Sequence, residues 1–148
     1  ERLVVPIGGF KRVFEELLHW CLEAKRKGQT STSESLIRNE MAELAIEIDV
    51  AYMFFWQTAW MIDRGLPTNV EASVLKLVVT QLSQKLASAA MGILGPYGEL
   101  EKGTGWTPLN GRICTGYLDC TSALVGAGTS EIQRNIIAAR GLGLPWSN

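Results

Sequence analysis

Histidine and cysteine are scarce in this chain: His19 stands alone, and Cys21, Cys114 and Cys120 form no Cys-x-x-Cys pair. That scarcity argues against a zinc site and a disulfide framework, leaving no metal centre and a reducing cytoplasm as the expectations. An excess of one charge is missing too. Fourteen basic and fifteen acidic residues give a formal charge of −1, with no electrostatic footprint for nucleic acid or an anionic membrane. No apolar run approaches the roughly 20 residues that a bilayer requires. Alternating strand patterns and internal repeats are also lacking. Neither a signal peptide nor an initial Met is present, so the opening Glu1-Arg2-Leu3 reads as that of a piece of a longer protein.

What the 148 residues do contain is helix. They amount to one domain, and 47% hydrophobic residues suffice for a core. Phe10, Val13, Phe14, Leu17, Leu18, Cys21 and Leu22 fall at helical spacing, opposite Lys11, Arg12, Glu15, Glu16 and Glu23. Pro6 and Gly8-Gly9 weaken the opening of that helix, and Gly28 can stop it. Ser31-x-x-Glu34 has the spacing of a capping box. It predicts a second helix of about 30 residues, a length found in bundles. Its stripe is Ile37, Met41, Leu44, Ile48, Ala51, Phe55, Ala59 and Ile62, and Gly65-Leu66-Pro67 ends it.

Thr68-x-x-Glu71, another capping box, opens a third helix with Leu75, Val78, Val79, Leu82, Leu86, Ala89, Ala90 and Ile93 on one face. Gly95-Pro96 ends it. Six glycines and two prolines between Gly95 and Gly116 predict a long loop. A last helical stretch starts near Tyr117, breaks at Gly126-Ala127-Gly128 and resumes at Thr129, with Ile132, Ile136 and Ile137 inward. The expected fold is all-α, an antiparallel four-helix bundle.

The chemistry gathers at that break. Glycines let backbone N–H groups approach a ligand, and first-turn amides lack intrahelical partners. Such a terminus suits phosphate or a polarised carbonyl oxygen. Thr129 can cap it, with Glu131 and Gln133 beside it. The bland alternative is an ordinary start of a helix. Likewise Phe54-Phe55-Trp56 and Trp60 read as bundle core or interface, His19 and Trp20 as packing or interface residues, and Cys114 and Cys120 as inert thiols.

The run from Gly126 to Ala138, with Arg140 and Gly141-Leu142-Gly143-Leu144-Pro145 after it, resembles the C-terminal signature of acyl-CoA dehydrogenases. Gly92-Ile93-Leu94-Gly95 resembles that family's short FAD-contacting turn. The likeness covers essentially the whole chain. It implies an enzyme that removes hydrogens from C2 and C3 of an acyl-CoA thioester. A carboxylate takes the C2 proton, FAD accepts hydride from C3, and an electron-transfer flavoprotein re-oxidises the flavin. It also implies an N-terminal helical domain and a central β domain beyond this sequence, so that this stretch alone is expected to be inactive. Gly92, Ile93, Leu94, Gly95, Thr129, Ser130 and Glu131 are the implied cofactor contacts, and Ala127 and Gly128 border the substrate.

One branch of the family carries its catalytic Glu where this chain has Ala127, which cannot take a proton. In the isovaleryl-type and long-chain-type branch the base sits in an E-R-L-V context, which Glu1-Arg2-Leu3-Val4 matches. Glu1 is therefore the expected base. The sequence departs from the family at Ala24, Lys27 and Ser35, where many members carry the Arg, Phe and Gln that hold FAD across a dimer interface. Some members pair a flavin-competent subunit with a deficient one. A second reading is thus a scaffold that completes a partner's flavin site within a homo- or hetero-oligomer.

Overall fold

The computed structural model describes residues 7–26, 34–103, 105 and 107–145; Glu1, Lys27, Gly28 and Ser31 lie outside them. The described residues form helices and no strand: α1 (Ile7–Arg26), α2 (Glu34–Asp63), α3 (Asn69–Leu94), α4 (Arg112–Val125) and α5 (Ser130–Ile136). A π turn, Ile137–Gly141, continues α5. α3 lies at the centre and packs against each of the other four, consistent with the expected bundle.

The core follows the apolar stripes. Leu17 of α1, Met41, Leu44 and Ile48 of α2, and Leu82, Leu86, Ala90 and Leu94 of α3 make one buried cluster. Each large aliphatic side chain withdrawn from water in this way is worth roughly 1.5–3 kcal/mol. A smaller cluster joins Ile7 to Leu75 and Val79. Ile7 is buried, and its packing holds the start of α1 helical in spite of Gly8-Gly9.

Five expectations need correction, the first being Ile132, expected inward but 45% exposed. The α2 stripe runs true through Ala51, but Ile62 is 47% exposed and the fully buried residue further along is Thr58. Its hydroxyl donates to the Phe54 carbonyl at 2.8 Å, which satisfies it without a tertiary partner. Thr68 precedes α3 yet makes no side-chain cap, because its backbone (φ −126, ψ 21) is not in the extended form that aims a hydroxyl at the first-turn amides.

The glycine-rich stretch holds 3-10 turns at Gly95–Glu99 and Pro108–Gly111, and α4 starts at Arg112, before the expected Tyr117. Two of its glycines allow close approach: a β-carbon on Gly98 would stand 3.1 Å from the Met91 sulfur, and one on Gly111 2.5 Å from the Lys102 backbone nitrogen. Lastly, α3 with the turn that follows it is long and apolar enough to cross a bilayer by length and composition alone. Its apolar window is 44% buried among the other helices, which is the burial that a central helix needs.

Candidate functional site

The break between α4 and α5 is a built turn. Gly126 N–H donates to the Ser122 carbonyl at 2.9 Å and closes α4. Ala127 (φ 57) and Gly128 (φ 95) then take left-handed conformations. For Ala127 that conformation costs about 1–2 kcal/mol, so surrounding contacts must hold it. Thr129 returns to extended backbone and caps α5, its hydroxyl oxygen accepting from Ile132 N–H at 3.4 Å. Its hydroxyl also lies near enough to the Glu131 carboxylate to stabilise the charge. Glu131's own backbone N–H and that hydroxyl hold the carboxyl below its ordinary value.

Two side chains fasten the turn from below. Gln133 is buried, and its amide nitrogen donates to the Ala127 carbonyl at 3.1 Å. Lys76 of α3 donates to the carbonyls of Gly128 at 2.7 Å and Leu124 at 3.2 Å. Burial pushes the Lys76 ammonium below its usual range, and the nearby Glu131 charge opposes that shift. Sequence reasoning passed over Lys76, although a lone cation in the apolar run Leu75–Thr80 was a visible signal. Above these residues opens a cleft of about 720 Å³ bordered by Phe10, Val79, Lys76, Ala127, Gly128 and Gln133.

The structure brings Ala127, Gly128, Thr129, Ser130 and Glu131 together and sets Gly92–Gly95 apart, at the far end of α3. At 1.5 Å per residue, roughly 25 Å of helix separates Lys76 from Ile93. A β-carbon on Gly92 or Gly95 would meet nothing within 4 Å, so this backbone is open to close approach. Leu94, by contrast, turns its side chain into the core and can present only backbone. Ile93 lines an apolar groove of about 660 Å³ between α1 and α2, together with Ala24, Leu18 and Met41. Ser35 is exposed on the first turn of α2. Among the described residues no three His, Cys, Asp or Glu side chains converge on a metal position. The candidate base Glu1 lies outside the described residues.

Residues 1–142 match the family model "Acyl-CoA dehydrogenase, C-terminal domain". A probable acyl-CoA dehydrogenase of Bacillus subtilis, YngJ, is 30% identical over 134 residues, which cover 90% of this chain and 33% of that protein. Among solved structures, the ChsE4–ChsE5 complex of Mycobacterium tuberculosis matches with a TM-score of 0.81 at 27% identity, over 97% of this chain and 36% of the other. The Tcur3481–Tcur3483 steroid acyl-CoA dehydrogenase matches with a TM-score of 0.85 over 95% of this chain and 35% of the other; at 22% identity it speaks for the fold alone. The chain thus spans about a third of the length of the relatives it matches.

Proposed function

The chain belongs to the acyl-CoA dehydrogenase family, as its C-terminal helical domain, and from that premise we propose that the intact subunit oxidises an acyl-CoA to the 2,3-enoyl-CoA. The observation that carries this reading is the fastened Ala127–Gly128 turn at the rim of a cleft. Phe10, Val79 and Ile136 give the cleft apolar walls suited to an acyl chain, and the turn supplies polar backbone at its edge. Glu1, on its match to the E-R-L-V context, takes the proton from C2. Bound FAD supplies the hydride acceptor for C3.

The residues present fit that cofactor at two separate places. The open backbone at Gly92 and Gly95 admits a ligand in close approach, and Thr129, Ser130 and Glu131 offer polar groups at the other end. With roughly 25 Å of α3 between Ile93 and the Lys76 that fastens the second set, the two sets do not grip one group on one flavin. We read the two sets as contacts to separate parts of the cofactor site, which an oligomer would complete. That a solved relative, ChsE4–ChsE5, is a complex supports this part of the reading. An electron-transfer flavoprotein is the proposed oxidant of the reduced flavin, and three unpaired cysteines suit a reducing cytoplasm.

One observation favours the second reading, a scaffold subunit whose own contribution to a flavin site is degenerate. The mostly apolar groove beside Ile93 has Ala24 where the family's Arg would stand, with Arg38 and Glu34 also on its border. Absorbance of the purified full-length protein tests both readings. Bound flavin that bleaches on adding acyl-CoA is expected for the enzyme, and absence of flavin favours the scaffold. In the enzyme, Glu1→Gln should keep the flavin and lower the rate by about 10² or more, the scale for a positioned base. Near-normal turnover in that variant would assign the base elsewhere.

A further inference from the structure

A single ammonium spans the whole break between α4 and α5. Leu124 lies in the last turn of α4, where carbonyls have no intrahelical amide to accept from, and Gly128 lies beyond the left-handed Ala127. Lys76 donates to both carbonyls, at 3.2 Å and 2.7 Å. Gln133 takes the carbonyl between them in the chain, that of Ala127. In a trans peptide the N–H points opposite to the C=O. With the carbonyls of Ala127 and Gly128 drawn to Gln133 and Lys76, the N–H groups of Gly128 and Thr129 are turned the other way. Neither donates to another backbone carbonyl outside the regular helices in the described chain. The left-handed Ala127 needs such fastening, because on its own it is unfavourable.

We infer that Lys76 is a positioning residue of the site: by holding the carbonyls of Leu124 and Gly128 on one ammonium, it fixes the Ala127–Gly128 turn against the acyl ligand. The inference rests on the proposed function for the ligand, while the clamp itself rests on distances. With its ammonium engaged by two backbone carbonyls, Lys76 acts through that backbone.

The test uses the full-length flavoprotein with Lys76→Met, which keeps the aliphatic stem and loses the donors, and Lys76→Arg, which keeps the cation and several N–H groups. Displacing the turn by an ångström misplaces the bound thioester, so kcat for Lys76→Met should fall about 10- to 100-fold. Flavin content and KM should stay within about twofold, since ground-state binding is little changed. Hydrogen exchange should quicken at the hydrogen-bonded amides of Gly126, Ile132 and Gln133, and Lys76→Arg should regain most of the lost kcat.

Wild-type kcat and unchanged exchange in Lys76→Met would overturn the inference. Parallel loss of flavin, KM and thermal stability, with no recovery in Lys76→Arg, would overturn it too, by leaving Lys76 a residue of the fold alone. If the wild-type protein holds no flavin and oxidises no acyl-CoA, the proposed function fails separately. In that case quickened exchange in Lys76→Met still supports the clamp, and unchanged exchange rejects it.

Discussion

The side-chain nitrogen of Gln133 stands 2.8 Å from the point that a β-carbon on Gly128 would occupy. That nitrogen donates to the Ala127 carbonyl, so Gly128 leaves room for the bond that steadies its own neighbour. Gly128 also holds φ +95, which L side chains rarely adopt.

Gly128→Ala is therefore expected to displace Gln133 and strain the backbone together. The two effects should destabilise the turn by about 1–3 kcal/mol. Thermal unfolding of the full-length protein checks the stability, and flavin retention through gel filtration checks the site. An unchanged melting temperature with intact flavin would mean that the turn rearranges at no cost.

Thr129 offers a sharper distinction. Its hydroxyl already accepts from Ile132 N–H, and the 3.4 Å cap distance is long. Thr129→Val should cost about 0.5–1 kcal/mol through the lost cap, the lower part of the range for such residues. Thr129→Ser should restore it. If flavin retention falls about tenfold or more with a stability loss no larger than this, the hydroxyl contacts the cofactor as well.

Legibility from sequence stopped where partners are distant. Helix periods placed Leu17, Leu44, Leu75 and Leu82 in the core because each stripe is a local pattern. Thr129 was legible as a cap for the same reason. Lys76 was not, because its partners lie 48 and 52 residues along the chain. Gly98 and Gly111 counted as breakers in sequence, yet both are buried where backbone meets neighbouring atoms. Composition cannot separate a glycine that loosens a chain from one that lets two segments touch. Leu18 and Leu22 belong to the α1 stripe but border an open groove, since a stripe says which face is apolar and not what covers it.

That difference has a measurable consequence in the core. Leu44 is fully buried in the central cluster, whereas Ile62 on the same predicted stripe is 47% exposed. Leu44→Ala should cost about 2–5 kcal/mol in chemical unfolding, through lost burial and the cavity left behind. Ile62→Ala should cost less than about 1.5 kcal/mol in the isolated domain. Equal losses would mean that the end of α2 packs more tightly than these exposures imply.

The last prediction concerns pH. Glu131 is held below its ordinary value near 4.5 by its own backbone N–H first and by the Thr129 hydroxyl second, with smaller help from Arg134 and Lys76. A carboxyl depressed in the folded state favours folding above its unfolded value, and that contribution disappears as pH falls through the folded value. The first turn of α5 should therefore keep constant protection between pH 7 and about 5 and lose it below about 4.5, as protonation removes the charge that the turn stabilises. Amide-exchange protection at Ile132 and Gln133, corrected for intrinsic rates, is the measurement. In Glu131→Gln the acid-dependent step should vanish, because the side chain keeps its size and no longer titrates. A step of the same size in that variant would assign the acid sensitivity to another carboxylate.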